Sequence, residues 1–330
     1  MFSPGKRITA VALAGLALLV AGCSSTASVS PQAPAGVPQT SGGTEPRVTI
    51  AMVTHAQPGD TFWDIIKLGA GDAAQQGNVN LVYSSDGDAA KQAALIDKAV
   101  ADHADGLVVT NPNAAVLTPS IKKAIAAGIP VIGMNAGMES YKDWGALMFY
   151  GQDESAAGKA AGQRLAKEGA TKVLCVIQAQ GQSQLEARCD GVQSTFPQVE
   201  KLYVNGTDLA SVRSGIEAKL KQDTSISHVL TLGAQFALTA VDSVKAAGSN
   251  AKIVTFDTSS KLIAALQAHQ VQWAVDQQPY LQGFLAVQST ALYLRNGNVI
   301  GAGQPVLTGQ EFIDSSNIDK IVPFAKSGKR

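Results

Sequence analysis

Asp60, Phe62 and Trp63 place a carboxylate beside two aromatic rings at the predicted start of a helix. Two adjacent aromatic side chains at such a junction expose apolar area unless something covers them, and the C–H face of a sugar ring would do so. In the alternative interpretation, the rings fasten the helix to its own lobe and Asp60 only caps it. The aromatic pair next to a carboxylate favours the binding role.

Polar side chains also follow other predicted strands. Asn111, Asn135, Asp257 and Gln277 supply amides and a carboxylate, the groups that exchange hydrogen bonds with vicinal hydroxyls. Each of them alone is a common turn or capping residue. Four of them at four strand ends indicate a shared cleft.

Three further residues are candidate ligand contacts. Arg188 offers five N–H donors, although an exposed salt bridge would explain it equally well. His55 and Gln235 also lie just after predicted strands.

The elements that must position these residues alternate between strand and helix. The first half has predicted strands at residues 48–53, 81–84, 106–110 and 130–134, and the second half at 172–177, 201–204, 228–232, 252–256 and 271–275. Longer runs with helical spacing lie between them. This rhythm predicts an α/β fold of two similar, doubly wound parallel-sheet lobes. Because such sheets bind ligands at the carboxyl ends of their strands, the candidate residues are expected to face one cleft.

Motifs for catalysis are absent from the sequence. It has no phosphate-binding glycine loop, no nucleophile elbow and no zinc-protease motif. The four histidines share no metal-ligand spacing. A hydrolase using Asp60 and Asp257 as acid and base is conceivable, but no activated nucleophile accompanies them. We therefore expect a binding protein that is not an enzyme and uses no cofactor or metal.

The charge balance is neutral, with 26 basic and 26 acidic residues. It suggests no basic face for nucleic acid.

From about residue 48 to 307, the chain resembles type I periplasmic sugar-binding proteins of the ribose-binding class, which serve ABC importers. The resemblance is carried by the segments DTFW at 60–63, GLVVTNP at 106–112, GIPVIGMN at 128–135, EARCDG at 186–191, VTFD at 254–257 and AVDQQPYLQG at 274–283. It implies a two-lobed fold with three crossings between lobes.

The resemblance also implies roles for individual residues. Asp60 would contact the ligand, Phe62 and Trp63 would flank its ring, and hydroxyl contacts would come from Asn111, Arg188, Asp257 and Gln277. The pattern departs at Asn135, where ribose binders commonly have aspartate, at Ala136 in place of arginine, and at Gly233 in place of asparagine. Fewer strong hydrogen-bonding groups argue against ribose and favour another neutral sugar or a polyol.

The N-terminus has a basic pair, Lys6 and Arg7, an apolar run over residues 8–20, and then Cys23 after Ala21 and Gly22. This arrangement is typical of a secretory signal, and its end resembles a bacterial lipobox, which implies a diacylglyceryl group on Cys23. An ordinary signal cleaved elsewhere is the alternative. The Ser-, Thr-, Pro- and Gly-rich stretch that follows predicts a disordered tether. The protein is thus expected outside the cytoplasm, anchored to the cell membrane only by lipid.

With Cys23 assigned to lipid, Cys175 and Cys189 remain as a pair in an oxidising compartment. A disulfide between them is expected, with two reduced core thiols as the alternative.

The predicted organisation is a signal at 1–22, a tether at 23–46, lobe one at 47–152 plus 278–306, and lobe two at 153–277 plus 307–330. The expected function is that of a monomeric binding protein that captures a neutral sugar or polyol by lobe closure and delivers it to an ABC permease. The alternative is a sensor that presents its closed form to a chemoreceptor or sensor kinase.

Overall fold

The computed structural model describes residues 46–330. The signal sequence, Cys23 and the tether up to residue 45 lie outside the described residues. None of the helices between residues 46 and 330 is long and apolar enough to cross a membrane.

The first half of the described chain forms a parallel sheet with helices between its strands. Its strands are β1 (Val48–Thr54), β2 (Val79–Ser85), β3 (Gly106–Val109), β4 (Val131–Met134) and β5 (Met148–Gly151). Its helices are α1 (Thr61–Gln76), α2 (Ala89–Ala101) and α3 (Ala114–Ala126).

The second half repeats this arrangement. Its strands are β6 (Val173–Ile177), β7 (Val199–Tyr203), β8 (His228–Thr231), β9 (Lys252–Phe256) and β10 (Trp273–Asp276). Its helices are α4 (Glu154–Lys167), α5 (Ser183–Thr195), α6 (Leu209–Gln222), α7 (Ala234–Ala247) and α8 (Ser260–Gln267).

The last fifty residues complete both sheets. Helix α9 (Pro279–Asn296) packs on α1, and β11 (Val306–Leu307) joins the first sheet beside β5. Strand β12 (Glu311–Asp314) runs antiparallel to β10 at the edge of the second sheet, and α10 (Ile318–Lys326) packs on α8. The strand orders are β11-β5-β4-β3-β1-β2 and β12-β10-β9-β8-β6-β7.

The chain passes from the first sheet to the second after β5, returns after β10 and crosses again between β11 and β12. The fold-class prediction of two doubly wound parallel-sheet lobes is confirmed. We refer below to each sheet with its helices as the first and second lobe.

Helices cover both faces of each sheet, and the apolar residues of the predicted strands and helices are buried between these layers. Every residue of β3 and β4 is buried, as expected for parallel strands between two helical layers. Strands β5, β11 and β12 and helix α10 were not predicted from the sequence. Strand β11 has only two residues, which is too few to show a periodicity.

Helix α5 is held closely against α4 and β6. A Cβ added at Gly158 would lie 2.3 Å from the carbonyl oxygen of Arg188, so only glycine permits this approach of α4 to α5. Cys175 on β6 and Cys189 on α5 form a disulfide with a Cα–Cα distance of 6.1 Å. Both contacts fix the helix that carries Arg188.

Candidate functional site

A cleft of about 690 Å³, counting the part open to solvent, lies between the carboxyl ends of the two sheets. Nine of the ten candidate ligand contacts line it: His55, Asp60, Phe62, Trp63, Asn135, Arg188, Gln235, Asp257 and Gln277.

Asn111 does not line the cleft. The residue is 1% exposed, and its Nδ2 donates to Thr118 Oγ1 at 3.4 Å, on the helix that follows. Its Oδ1 has no hydrogen-bond partner among the described residues. The Nδ2 group of Asn111 thus contacts α3, and the role of this residue in ligand binding stays a prediction.

Phe62 and Trp63 form an edge-to-face pair in the first turn of α1, with ring centroids 5.3 Å apart. The His55 ring meets Trp63 edge-on at 4.8 Å. Both aromatic side chains belong to the core of the first lobe and also line the cleft. The two interpretations of this pair are thus compatible: the rings fasten α1 to its lobe and present apolar surface to the cleft.

Asp60 both caps helix α1 and borders the cleft. Its Oδ1 accepts a hydrogen bond from the Phe62 backbone N–H at 3.1 Å, which caps α1, and its side chain borders the cleft. Burial raises the pKa of Asp60 to about 6, against the hydrogen bond from Phe62, with a smaller contribution from the nearby charge of Asp64.

Amide side chains link the strand ends of the two sheets. Asn135 Nδ2 donates to Gln277 Oε1 at 3.2 Å and to Gln282 Oε1 at 3.1 Å. Gln277 Nε2 in turn donates to Asp257 Oδ1 at 2.6 Å. Asn135 follows β4 of the first sheet and Asp257 follows β9 of the second, so this chain of hydrogen bonds spans the cleft.

Arg188 is buried and paired with Glu154, at the N-terminus of α4. Its Nε donates to Glu154 Oε2 at 2.6 Å and its Nη2 donates to Oε1 at 2.9 Å. Its Nη1 donates to the Leu232 carbonyl oxygen at 3.3 Å and lies 3.9 Å from Asp257 Oδ2. The exposed salt bridge considered for Arg188 is therefore a buried, bidentate ion pair that borders the cleft.

Glu154 was missed by the sequence analysis. It directly follows the first crossing between sheets, where an acidic residue reads as an ordinary first-turn helix residue. The sequence held one indication of its role. Glu154 is an acidic residue next to a predicted crossing between the lobes, and the candidate cleft residue Arg188 had no predicted ion-pair partner.

The buried charges near Arg188 shift one another's pKa. Burial raises the pKa of Asp257 to about 7, although the charge of Arg188 and the hydrogen bond from Gln277 oppose this. Burial also opposes the charge on Arg188, but the carboxylates of Glu154 and Asp257 outweigh it and raise the pKa of Arg188 above its ordinary value. The guanidinium thus stays charged in the cleft wall.

The two lobes also touch directly across the cleft. The Ser183 backbone N–H donates to the Pro112 carbonyl oxygen at 3.1 Å. Gln184 Nε2 lies 3.1 Å from His55 Nε2, which acts as the acceptor, and His55 Nδ1 lies 2.8 Å from Thr110 Oγ1. Burial, helped by the charge of Arg188, lowers the pKa of His55 to about 3, so its ring is neutral.

Further residues that line the cleft were not proposed as ligand contacts from the sequence. They are Gln57, Gln178, Ala179, Gln182, Gln184, Leu185, Gly206, Thr207, Leu232, Gly233 and Phe236. Within the described chain, Gln178 Oε1 and Gln184 Oε1 are buried without a hydrogen-bond partner. An amide-rich lining with free acceptors suits a ligand that carries hydroxyl donors.

Among residues 46–330, no group of histidine, cysteine, aspartate and glutamate side chains is arranged to hold a metal ion.

The fold and the cleft agree with a known family. A model described as the periplasmic binding protein domain matches residues 50–298. The chain therefore belongs to the periplasmic binding protein family.

Individual sugar-binding proteins and a solved structure are also similar to this chain. A crystal structure of a carbohydrate transporter from Acidothermus cellulolyticus, in complex with myo-inositol, is 56% identical, covers 86% of this chain and 100% of its own, and has a TM-score of 0.85. The xylose/arabinose-binding protein XylF of Sulfolobus acidocaldarius is 26% identical over 243 residues, which is 68% of this chain. The ribose import binding protein RbsB of Bacillus subtilis is 20% identical over 252 residues, covering 75% of this chain and 82% of RbsB.

The match spans only 60% of the length of XylF. The predicted resemblance to type I periplasmic sugar-binding proteins is confirmed by these matches, as is the expectation of a binding protein rather than an enzyme.

Proposed function

We propose that this protein is the sugar- or polyol-binding component of an ABC importer, held outside the cytoplasm by a lipid on Cys23. The observation that carries the proposal is the solved structure with 56% identity over 86% of the chain, a carbohydrate transporter in complex with myo-inositol. The cleft described above has the chemistry that such a ligand needs.

A neutral, hydroxylated ring is the proposed ligand, and myo-inositol is the first candidate. The ring hydroxyls would meet the amides of Asn135, Gln178 and Gln184 and the carboxylate of Asp257. The aromatic side chains of Phe62 and Phe236 supply apolar surface for the ring face.

Binding is proposed to work by closure of the two lobes. Three chain segments connect the sheets, and two contacts join the lobes directly: Gln184 with His55 in the cleft lining, and Ser183 with Pro112 outside that lining. A ligand that bridges both walls would favour the closed arrangement, which the permease would then recognise. Small-angle scattering with and without ligand should show a smaller radius of gyration when the ligand is bound.

Calorimetric titration of ligand-free protein with myo-inositol tests the binding proposal. Before the titration, protein should be unfolded, dialysed and refolded to remove carried-over ligand. D-ribose, D-xylose and D-glucose serve as comparison ligands, and we expect saturable binding and a higher melting temperature with at least one neutral compound. No binding of any neutral sugar or polyol by correctly folded protein would contradict the proposal.

The anchor and the transport role need separate tests. Cys23→Ala is expected to move the protein from the membrane fraction to the soluble fraction without changing ligand affinity. Deletion of the gene should abolish uptake of the bound compound. Intact uptake with a lost cellular response would instead favour the sensor.

A further inference from the structure

We propose that Glu154 sets the charge selectivity of the cleft: by engaging Arg188, it makes the site accept neutral ligands and reject acidic ones. This inference rests on the proposed function and adds a specificity-determining residue to it.

The geometry shows how fully Arg188 is engaged. Its Nε and Nη2 donate to the two carboxylate oxygens of Glu154, and its Nη1 donates to the Leu232 carbonyl oxygen. Three of the five N–H groups of the guanidinium are therefore used within the protein. Both side chains are buried, with exposures of 3% for Arg188 and 8% for Glu154, so water does not screen the pair.

Arg188 is the only lysine or arginine among the described residues that line the cleft, whereas Asp60 and Asp257 contribute acidic groups. A carboxylate or phosphate on a ligand would need a free cation there, because a buried anion without a partner is costly. With Glu154 in place, the positive charge of Arg188 is already compensated. A neutral hydroxyl can still use the remaining N–H groups, but an anion gains no ion pair.

Glu154 is also held so that it cannot turn away. Its Oε2 accepts a second hydrogen bond, from Gln152 Nε2 at 2.8 Å, and its backbone lies in the first turn of α4. The close approach of α4 and α5 at Gly158 and Gly191 keeps the two charged side chains on facing helices. The pairing is therefore a fixed feature of the cleft wall.

The test is the variant Glu154→Gln, which is nearly the same size and has no charge. The matched control is Glu186→Gln, on the same helix as Arg188, where the glutamate is partly exposed and bonded to Lys201 and Tyr203 outside the cleft. For each protein, calorimetry gives the Kd of myo-inositol and the Kd of D-glucuronate. We expect the ratio of the glucuronate Kd to the inositol Kd to fall by at least about tenfold in Glu154→Gln and to stay unchanged in Glu186→Gln.

Glu154→Asp is a second variant for the case in which Glu154→Gln does not fold. It keeps the charge but, being shorter, releases one N–H of Arg188, so the ratio should fall by about threefold. An unchanged ratio in whichever variant folds overturns the inference, as does a variant that binds myo-inositol without detectable glucuronate binding. Failure of the wild-type protein to bind myo-inositol or any other neutral sugar or polyol would instead overturn the proposed function.

Discussion

Asn135 and Asp257 hold the same position in the two lobes. Each directly follows a strand, β4 or β9, and each has a left-handed backbone, with φ of 61° and 67°. The Asn135 N–H donates to the Tyr150 carbonyl oxygen at 2.9 Å, and the Asp257 N–H donates to that of Val275 at 2.8 Å. Asparagine and aspartate tolerate this conformation best after glycine, so the backbone and the cleft chemistry favour the same residue types.

Substitution of Asn135 should separate its backbone role from its side-chain role. Both Asn135→Gly and Asn135→Ala remove the hydrogen bonds to Gln277 and Gln282, but only alanine strains the left-handed backbone. We expect Asn135→Ala to have a free energy of unfolding about 1 kcal/mol lower than Asn135→Gly. Urea denaturation measures this difference, while ligand affinity should fall equally in both variants. Equal stability of the two would contradict a strained backbone.

The stability of the ligand-free protein should depend on the ionisation of Asp257. The pKa of this carboxyl is raised from 3.8 to about 7, so the folded state binds more protons than the unfolded state in this window, and the free energy of unfolding falls as pH rises through it. His55, with its pKa lowered from 6.5 to about 3, has the opposite effect, mainly below pH 6.5 and fading above it.

Asp60, with its pKa raised to about 6, acts in the same direction as Asp257, so Asp257 dominates the window above pH 6.5 and only the end of the Asp60 titration falls within it. Urea denaturation between pH 6.5 and about pH 8 should show a decrease that levels off at the upper end. Asp257→Asn should remove most of this slope, and Asp105→Asn, at an exposed carboxylate beside Thr49, is the control that should retain it. A slope that persists in Asp257→Asn would contradict the raised pKa.

The disulfide between Cys175 and Cys189 should stabilise the second lobe. The two residues are 14 positions apart, and closing a loop of this size is worth about 3 kcal/mol in the chain-entropy model. The double variant Cys175→Ala with Cys189→Ala should lose about this much free energy of unfolding. A reductant should destabilise the wild-type protein and leave the double variant unchanged. Two free thiols in the unreduced, unfolded protein would contradict the bond.

Phe62 should affect ligand binding beyond its effect on packing. Phe62→Leu keeps an apolar side chain but removes the aromatic face, so ligand affinity should fall by about tenfold with a loss of stability under about 1.5 kcal/mol. Phe196→Leu is the matched control, because Phe196 is 7% exposed, Phe62 is 8% exposed, and Phe196 packs in the core of the second lobe, away from the cleft. Equal loss of affinity in both variants would mean that Phe62 acts only through stability.

The sequence by itself determined the two-lobed architecture. Alternating buried strands and helices carry a periodicity that is local in the chain, and the rule that ligands bind at strand ends then selected nine residues that line one cleft. The same rule selected Asn111. This residue does follow β3, but its side-chain Nδ2 donates to Thr118 on the next helix. Position after a strand does not determine where a side chain is directed.

Only the tertiary structure decided the partners of these residues. The pairing of Glu154 with Arg188 joins positions on two helices, and the chain of hydrogen bonds from Asn135 through Gln277 to Asp257 joins two sheets. These contacts depend on how separate elements are placed in space, and no local periodicity encodes that placement. The charge state of the cleft follows from the same contacts, since burial and neighbouring charges exist only after the chain has folded.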